Sequence, residues 1–304
     1  EASVYCRYMS VMMTLRRRIA ITVVLTLAAL VTVFLAVTSI VIDRTYVASD
    51  IDNAVALVLQ ARSGIDNAVK SIGNSCSDWA YRDDTFEFAN HAKPTYVASN
   101  LSAASMKNAG IDGMLFLDAK GSILFGKQVN ASGTVLTPIA PDVVQAFAPG
   151  SPLFTGVMSG TEAGGLLFVG SQPATVAARR ILTSAFAGPP AGVLVFTRML
   201  SPSVVSATNP LLKTTLYIES AAAVVPSSPA ASVLARMDQG SHPVGMLTDN
   251  ATAAGFLTMN DITGTRDVLL TITSPRMRLG EAAQFKRFLA VSSVLMGIVI
   301  LVVI

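Results

Sequence analysis

This sequence has few of the side chains from which catalytic and metal centres are built. Its 304 residues include two histidines, two cysteines and one tryptophan. Neither His91 nor His242 belongs to a zinc-ligand pattern. The segment Gly156–Gly160 places its serine out of frame for a nucleophile elbow. We therefore expect no metal, no cofactor and no catalytic activity in the chain as given.

Charged residues are also scarce, at 13% of the chain, and the net charge of +3 is unevenly distributed. Residues 1–18 carry four arginines and one glutamate, and Lys286 and Arg287 add two positive charges near the other end. Residues 44–285 are nearly neutral, with 16 basic and 17 acidic side chains. A nucleic-acid-binding domain needs a basic face of its own, so this distribution excludes nucleic acid as a partner.

The chain contains two long apolar runs. Ile19–Ile42 has no charged residue, and Phe288–Ile304 is apolar up to the last residue. A helix needs about 20 apolar residues to cross the hydrocarbon core of a bilayer. We therefore predict one transmembrane helix over 19–42 and a second over 286–304, which the end of the sequence cuts short. The lipid bilayer is then an expected partner.

The charges beside the first run predict its orientation. Arg16–Arg18 precede it, and basic residues next to a first span stay in the cytoplasm. We expect residues 1–18 to be cytoplasmic and residues 43–285 to be periplasmic, in a multi-pass protein of a bacterial inner (plasma) membrane. A cleaved signal peptide is the alternative. Its apolar region is about 7–15 residues long, however, and Val41–Arg44 offers no small-residue cleavage site.

The two cysteines lie on opposite sides of the first predicted span. Cys6 precedes it and Cys76 follows it, so no intrachain disulfide is expected. The outer segment of about 240 residues must then be held together by its apolar core, for which it is long enough. Cys6 also precedes Met9, Met12 and Met13, each of which is a candidate for the start of translation.

After the first span, apolar residues recur with the spacing of a long helix. Gaps of four and three residues alternate along Ile51, Val55, Val58, Arg62, Ile65, Val69, Ile72, Cys76 and Trp79. This heptad pattern fits a parallel homodimer seam that continues from the membrane, or a single helix lying on a sheet of its own chain. We favour the dimer, because a helix leaving the bilayer has little else to bury itself against near its start. Gly73 and Asn74 predict a local break.

From residue 110 onwards the pattern changes to short strands. The predicted strands are Gly113–Leu117, Ser122–Lys127, Leu153–Met158, Gly165–Ser171, Gly192–Met199, Thr214–Glu219, Val244–Leu247, Gly255–Asn260 and Asp267–Thr273. Stretches rich in proline and serine at 137–152, 184–192 and 224–232 are predicted loops. The expected fold class is α+β, with a helical arm over 44–90 and a PAS-like (Cache-like) antiparallel-sheet domain over about 110–275.

One short segment, Asp78–Phe88, combines aromatic and acidic side chains. It contains the single tryptophan, Trp79, and three aspartates, among them Asp83 and Asp84. Aromatic walls with a few carboxylates suit a cationic or polar small ligand. In the structural alternative, the aromatic rings cap the core and a buried arginine neutralises one of the aspartates. The candidates for that arginine are Arg179, Arg198 and Arg276.

These residues resemble the type-four CHASE domain, an extracellular sensory module of bacterial cyclases and histidine kinases. The family typically shows an Asp-Trp pair, an Asp-Asp-Thr-aromatic run, and a Tyr before Asn-Leu. The corresponding residues are Asp78-Trp79, Asp83–Phe86, and Tyr96 before Asn100-Leu101. Later segments that resemble the family are Leu115–Gly121, Val176–Leu182, Gly188–Arg198 and Pro275-Arg276. The resemblance covers roughly residues 45–280.

The resemblance implies a sensory input module that passes a ligand-induced change through the second span to a cytoplasmic output. The output is a diguanylate cyclase, with or without a phosphodiesterase, or a histidine kinase, and the 304 residues contain neither. The implied ligand is an unidentified small molecule or periplasmic partner. Arg82 and Arg180 depart from the family, which usually has an aromatic residue and a proline there. The predicted ligand-binding residues are Trp79, Tyr81, Arg82, Asp83, Asp84, Tyr96, Asn100 and Arg179.

Two other functions are consistent with a domain anchored at both ends. A structural or assembly protein of the envelope would need no cytoplasmic output domain. A membrane-tethered periplasmic enzyme would need a nucleophile, a metal site or an acid–base pair, and the sequence shows no recognisable one.

Overall fold

The computed structural model describes residues 2–130, 132–200, 214–237, 242–264, 267–276 and 279–303. The described helices are α1 (Ala2–Ala80), α2 (Asp83–His91), α3 (Pro94–Asn100), α4 (Ala103–Asn108), α5 (Pro141–Ala146), α6 (Pro152–Met158), α7 (Pro229–Leu234) and α8 (Leu279–Val303). The described strands are β1 (Gly113–Asp118), β2 (Ile123–Val129), β3 (Leu136–Pro138), β4 (Ala163–Val169), β5 (Gln172–Ile181), β6 (Gly192–Met199), β7 (Thr215–Ser220), β8 (Val244–Leu247), β9 (Thr252–Asn260) and β10 (Asp267–Pro275). Residues 201–213 of the predicted sheet domain lie outside the described residues.

These elements form two compact units. The sheet unit consists of residues 54–248 and 254–274, and the helical unit consists of residues 1–53, 249–253 and 275–304. Within the described residues, the strands sort into a six-stranded sheet of order β3-β2-β1-β6-β5-β4 and a four-stranded sheet of order β7-β10-β9-β8. The neighbouring strands of the six-stranded sheet run antiparallel. The predicted α+β class with antiparallel pairing is confirmed, but the predicted strands divide between two sheets.

Helix α1 buries one face of its second half within the sheet unit. The buried residues recur every three or four positions, at Ala54, Val58, Ala61, Ile65, Ala68, Ile72, Cys76 and Ala80. Those from Val58 to Ala68 share a core with Leu166 of β4 and with Leu270 of β10. Those from Ile72 onwards pack on the six-stranded sheet, in a core that includes Phe196. The helix therefore contacts both sheets along one continuous stripe.

This stripe covers part of the predicted dimer seam. Val58, Ile65, Ile72 and Cys76 are buried by their own chain, so along this part α1 has the intrachain packing that was the alternative to a dimer. The other seam positions remain partly exposed, and pairing through the helical arm stays a prediction. The predicted break at Gly73 is wrong, because α1 continues without interruption to Ala80.

The opposite face of the six-stranded sheet is covered by α5 and α6. Phe147, Phe154 and Val157 pack there against strand residues such as Leu117 and Val193. Sequence analysis predicted a strand at 153–158, but this stretch is helix α6. The hydroxyl of Ser151 accepts a hydrogen bond from the backbone N–H of Phe154, and a proline occupies the first turn. Both are helix-start signals that outweigh the apolar run.

Among the described residues, two helices are long and apolar enough to cross a membrane, judged by length and composition. They are the stretch Ile21–Ala80 within α1, with a mean hydropathy of 2.6 in its most apolar window, and Gly280–Val299 within α8, with 1.3. Large apolar side chains along both are exposed, among them Leu25, Phe34 and Phe288. Exposed apolar surface of this extent is typical of a segment that faces lipid.

The close contact between α1 and β9 gives a test of this packing. An alanine methyl group at Gly255 would lie 2.1 Å from the carbonyl oxygen of Ala54, a backbone atom that cannot rotate away. We expect Gly255→Ala to lower the free energy of unfolding by about 3 kcal/mol, measured by chemical denaturation of the purified chain in detergent. Gly156→Ala in α6 is the control, because its methyl group would meet its nearest neighbour at 3.9 Å. Equal stability of the two variants would contradict the contact.

Candidate functional site

The predicted ligand-binding segment forms the junction between α1 and α2. Trp79 is half-buried, and its ring meets that of Phe196 edge-on, with centroids 6.0 Å apart. The guanidinium carbon of Arg82 lies 5.5 Å from the centre of the Trp79 ring. Arg82 also donates two hydrogen bonds to the carboxylate of Asp84, at 3.1 and 2.9 Å. Trp79, Arg82 and Asp84 thus form one stacked and ion-paired cluster at the surface.

Asp83 links this junction to the loop between β5 and β6. Its carboxylate accepts hydrogen bonds from the backbone N–H and from the hydroxyl of Ser184, each 2.8 Å long. These two bonds lower the pKa of Asp83 below its ordinary value. The carboxylate also lies in the first turn of α2, where the helix dipole favours a negative charge. Asp83 therefore holds two segments that are about 100 residues apart in the sequence.

The same loop presents an exposed aromatic side chain beside Tyr81. The rings of Tyr81 and Phe186 lie 4.8 Å apart, and Phe186 is 64% exposed. Phe186 has a φ of +55°, a left-handed conformation that is uncommon for a residue other than glycine. Partial burial, together with the nearby Glu162 carboxylate, raises the pKa of Tyr81.

Tyr96 and Asn100 have structural partners on α2 and α3. Tyr96 is buried, stacks on Phe88 with centroids 4.7 Å apart, and shares a hydrogen bond of 2.7 Å with the hydroxyl of Thr85. Its burial raises the pKa of its phenol. The amide of Asn100 donates to the backbone carbonyl of Tyr96 and to the hydroxyl of Ser99. These contacts join α2 and α3 to the core.

Arg179 is buried behind the junction, against α1. Its guanidinium donates to the hydroxyl of Ser77 and to the carbonyls of Ala163 and Ala178, each at 3.0 Å. It also pairs with Glu162 at 3.1 Å. Any side chain at Gly73 would begin 2.8 Å from this guanidinium. Gly73 therefore provides space for Arg179, which explains why a glycine occurs in an unbroken helix.

Cys76 lies one turn along the same helix face and is buried. Its burial raises the pKa of the thiol to about 12. Its Sγ donates to the carbonyl of Leu194 at 3.4 Å. A thiol in this setting is a packing residue rather than a nucleophile.

The structure corrects the predicted partners of the acidic pair. Asp83 and Asp84 are exposed, and they bind Ser184 and Arg82 rather than Arg179, Arg198 or Arg276. The partners that sequence analysis missed are Ser77, Thr85, Glu162, Ser184 and Phe186. Ser184 and Phe186 lie in a stretch rich in small residues and proline. The composition of this stretch gives no sign that they contact Asp83 and Tyr81, about 100 residues earlier in the sequence.

Cavities occur elsewhere in the sheet unit. Five cavities, with volumes between about 210 and 440 Å³, have linings that include none of the eight predicted residues. The largest of these five lies at the end of the six-stranded sheet where β1 begins, and Asp112, Gln128 and Thr197 are among its lining residues. Sequence analysis assigned no role to these three residues.

A buried ion pair lies within the helical unit. Arg276 donates through Nε to the carboxylate of Asp50 at 2.9 Å, and the two side chains are 10% and 7% exposed. The guanidinium also donates to the carbonyl of Asn250, and the backbone N–H of Arg276 donates to the carbonyl of Ala251. A second pair joins Lys286 to Asp43. Two ion pairs therefore connect α1 to the chain around the start of α8.

The chain belongs to the CHASE4 domain family. The family model of the CHASE4 domain matches residues 64–218, just over half of the chain. The match includes the junction of α1 and α2, the whole six-stranded sheet and the start of β7. A comparison with curated protein sequences gave no match.

Solved structures show the same kind of fold. The extracellular domain of vpHK1S-Z8, a protein described as a histidine kinase, superimposes with a TM-score of 0.52 at 10% identity, over 79% of this chain and 96% of that one. A domain of a sensory box/GGDEF family protein from Vibrio parahaemolyticus gives 0.47 at 10% identity, over 76% and 97%. The periplasmic domain of Vibrio cholerae LuxQ gives 0.40 at 12%, over 73% and 99%. The TM-score of 0.52 with the first of these domains shows a likeness of fold.

Family membership confirms the resemblance predicted from the motifs. The chain is a sensory module of a signalling receptor, with an α+β sensor fold and two helices able to cross a membrane.

The buried Arg179 gives a test of the structural role of this region. Arg179→Met would fill a similar volume but remove the hydrogen bonds to Ser77 and to the carbonyls of Ala163 and Ala178. We expect it to lower the free energy of unfolding by about 3 kcal/mol, measured by chemical denaturation of the chain in detergent. Arg62→Met is the matched control, because Arg62 forms a surface pair with Asp66 and should change stability by less than about 0.5 kcal/mol. Unaltered stability of Arg179→Met would contradict the assigned contacts.

The hydrogen bonds to Asp83 predict a pH dependence. A carboxyl whose pKa is lowered by folding contributes stability above its unfolded pKa, and that contribution is lost as the pH falls through the lowered value. We expect the carboxyl carbon shift of Asp83 to titrate below the ordinary aspartate range in NMR of the labelled chain. Ser184→Ala removes one donor and should move the midpoint upwards, whereas Ser132→Ala, in a distant turn, should leave it in place. A midpoint insensitive to Ser184→Ala would refute the contact.

Proposed function

We propose that the chain is the periplasmic input module of a bacterial inner-membrane receptor. In this proposal the N-terminus is cytoplasmic, the sheet unit lies in the periplasm, and α1 and α8 contain the two spans. A small molecule or a periplasmic partner binds the sheet unit, and the change passes to a cytoplasmic cyclase or kinase. CHASE4 membership and the two apolar helices support this arrangement.

The observation that carries the transmission step is the buried Asp50–Arg276 ion pair. Asp50 lies on α1, about two turns beyond the first apolar run, and Arg276 lies between β10 and α8. The two residues join the outgoing and the returning chain. Removing one partner of such a pair leaves a buried charge uncompensated, which typically costs about 3–5 kcal/mol. A displacement of β10 would therefore move α8 and α1 together or exchange this pair for another arrangement.

The Lys286–Asp43 pair joins α8 to α1 beside the two predicted spans. Both side chains are more exposed, at 31% and 60%, so the pair contributes less to stability than the buried one. A lysine near the end of a span places its charge at the headgroups while its aliphatic part follows apolar surface. The pair fixes the lateral position of α8 beside α1 at the level where the spans enter the bilayer.

The predicted ligand-binding residues enter the proposal as an exposed sensing surface. Arg82, Asp83 and Asp84 are exposed and bind one another or Ser184, so a polar ligand could exchange places with these partners. Trp79 connects this surface to the core through Phe196. A change in the conformation of the junction would displace the end of α1, because the junction begins where α1 ends.

We also propose that two copies pair through the helical arm. The stripe from Val58 to Cys76 is occupied by the sheets of the same chain. Pairing therefore has to use the spans and the partly exposed positions, such as Ile51 and Val55. In this arrangement a displacement of α1 in one copy changes its contact with the other.

A fusion of the chain to a diguanylate cyclase tests the transmission step. We expect Asp50→Asn and Arg276→Gln each to shift the basal cyclic di-GMP output about fivefold or more, in the same direction, since couplings of this kind amount to about 1–3 kcal/mol. The double reversal Asp50→Arg with Arg276→Asp restores the pair and should restore the output.

Arg62→Gln serves as the control for that experiment. Arg62 lies on the same helix and forms an exposed pair with Asp66, so its loss should leave the output unaltered. Single variants with wild-type output, or a double reversal that behaves like the single variants, would contradict the proposed route.

A further inference from the structure

The largest of the five cavities lies at one end of the six-stranded sheet. It has a volume of about 440 Å³, within the range of small-molecule sites. Its lining combines the polar residues Asp112, Gln128, Gln172 and Thr197 with the apolar residues Val169 and Met199. All of its lining residues belong to the sheet unit.

The register of the sheet brings polar side chains of the cavity together. Gly113 at the start of β1 pairs with Gln128 on one side and with Thr197 on the other. Directly opposed residues in antiparallel strands point to the same face, so Gln128 and Thr197 flank a position that has no side chain. Two residues inward, Leu115 and Val195 belong to the apolar core of that face. The apolar core thus ends in a polar row, in which the hydroxyl of Thr197 takes the space that a side chain at Gly113 would need.

Asp112 supplies a negative charge in the wall of this cavity. Its Oδ2 accepts a hydrogen bond from the backbone N–H of Met199 at 2.7 Å. Among the residues that the structure describes, no basic side chain pairs with Asp112 at ion-pair distance. The carboxylate can therefore take a cationic hydrogen-bond donor from a ligand without breaking an existing ion pair.

The other polar groups of the cavity add hydrogen-bonding capacity without charge. Gln128 uses its carbonyl oxygen to accept from the backbone N–H of Ala140, which fixes the orientation of its amide. The hydroxyl of Thr197 and the amide oxygen of Gln172 are acceptors by their chemistry. Val169 and Met199 provide apolar surface. One carboxylate, neutral acceptors and an apolar wall match an ammonium group on an aliphatic body.

The basic side chains of this end of the sheet line a separate cavity. Lys107 and Arg198 line a neighbouring space of about 290 Å³, and Asp112 contributes to the wall of both cavities. An anionic ligand would find its charge partners in that neighbouring space. The larger cavity offers Asp112 as its ionised side chain, and so it favours a cation.

We propose that this cavity binds a small aliphatic primary amine in its ammonium form. The ammonium group binds Asp112 and the acceptors of Thr197 and Gln172, and the aliphatic part lies on Val169 and Met199. The role of this site as the stimulus site rests on the sensory function proposed above, whereas binding itself does not. The cavity would then be the input that the junction and the ion pairs transmit.

Three matched probes test the proposal on the full chain in detergent. n-Butylammonium, 1-butanol and butyrate share a four-carbon body and differ in charge, and their binding is followed by saturation-transfer NMR titration. We expect n-butylammonium to bind about tenfold or more tightly than either other probe, because hydrogen bonds to charged groups are the stronger ones. Asp112→Asn keeps an acceptor for the Met199 N–H and should remove this preference.

Two further variants complete the test. Val169→Phe fills the cavity without touching Asp112 and should weaken n-butylammonium binding about tenfold or more, even if Asp112→Asn fails to fold. Asp66→Asn, in another cavity, should leave binding as in the unaltered chain. No binding of n-butylammonium to the unaltered chain, stronger binding of butyrate, or binding insensitive to both cavity variants would overturn the proposal. The cyclase fusion with the Asp50–Arg276 variants would then still decide the receptor function separately.

Discussion

The packing of α1 on both sheets is the interaction on which the rest of the structure depends. A stripe of small and branched residues, including Ala54, Ala61 and Ala68, lets the helix backbone approach the strands closely. At Gly255 the approach leaves no space for a methyl group. Because α1 is one unbroken helix from Ala2 to Ala80, the element that holds the sheet unit together is continuous with the apolar run. In the proposed receptor, a stimulus that repositions the sheets on this stripe would displace α1.

Polar contacts secure the two ends of this stripe. Near Ala80, the buried Arg179 binds α1 through Ser77 in the space left by Gly73. Towards the membrane, Asp50 on α1 binds Arg276. Both contacts are buried or nearly so, and a buried charge that loses its partner is costly. In the proposed receptor, such a buried pair would be either made or replaced rather than gradually weakened.

Local patterns in the sequence predicted much of this fold. The heptad spacing located only part of the buried face of α1, at Val58, Ile65, Ile72 and Cys76, and missed the alanines beside them. Helical periodicity depends on neighbouring residues alone, so it could not tell a sheet from a second helix as the covering surface. The short, mostly apolar stretch Leu153–Met158 in α6 fits a strand or a helix equally, and the alanine-rich β5 gives little strand signal. The motifs around Trp79 located the family. The partners of Asp83 and Arg276 could not be predicted, since those contacts join segments about 100 and about 226 residues apart.

We propose that the sheet unit is exported while both of its flanks remain in the membrane. Lys120 is an exposed residue in the turn between β1 and β2, and Arg17 precedes the first apolar run. A cysteine is placed at each of these positions in a chain whose Cys6 is replaced by serine and whose remaining cysteine, Cys76, is buried. Each variant is then treated with a membrane-impermeant maleimide in intact spheroplasts. We expect Lys120→Cys to be labelled at once and Arg17→Cys to be labelled after the membrane is disrupted. The opposite pattern would contradict the proposal.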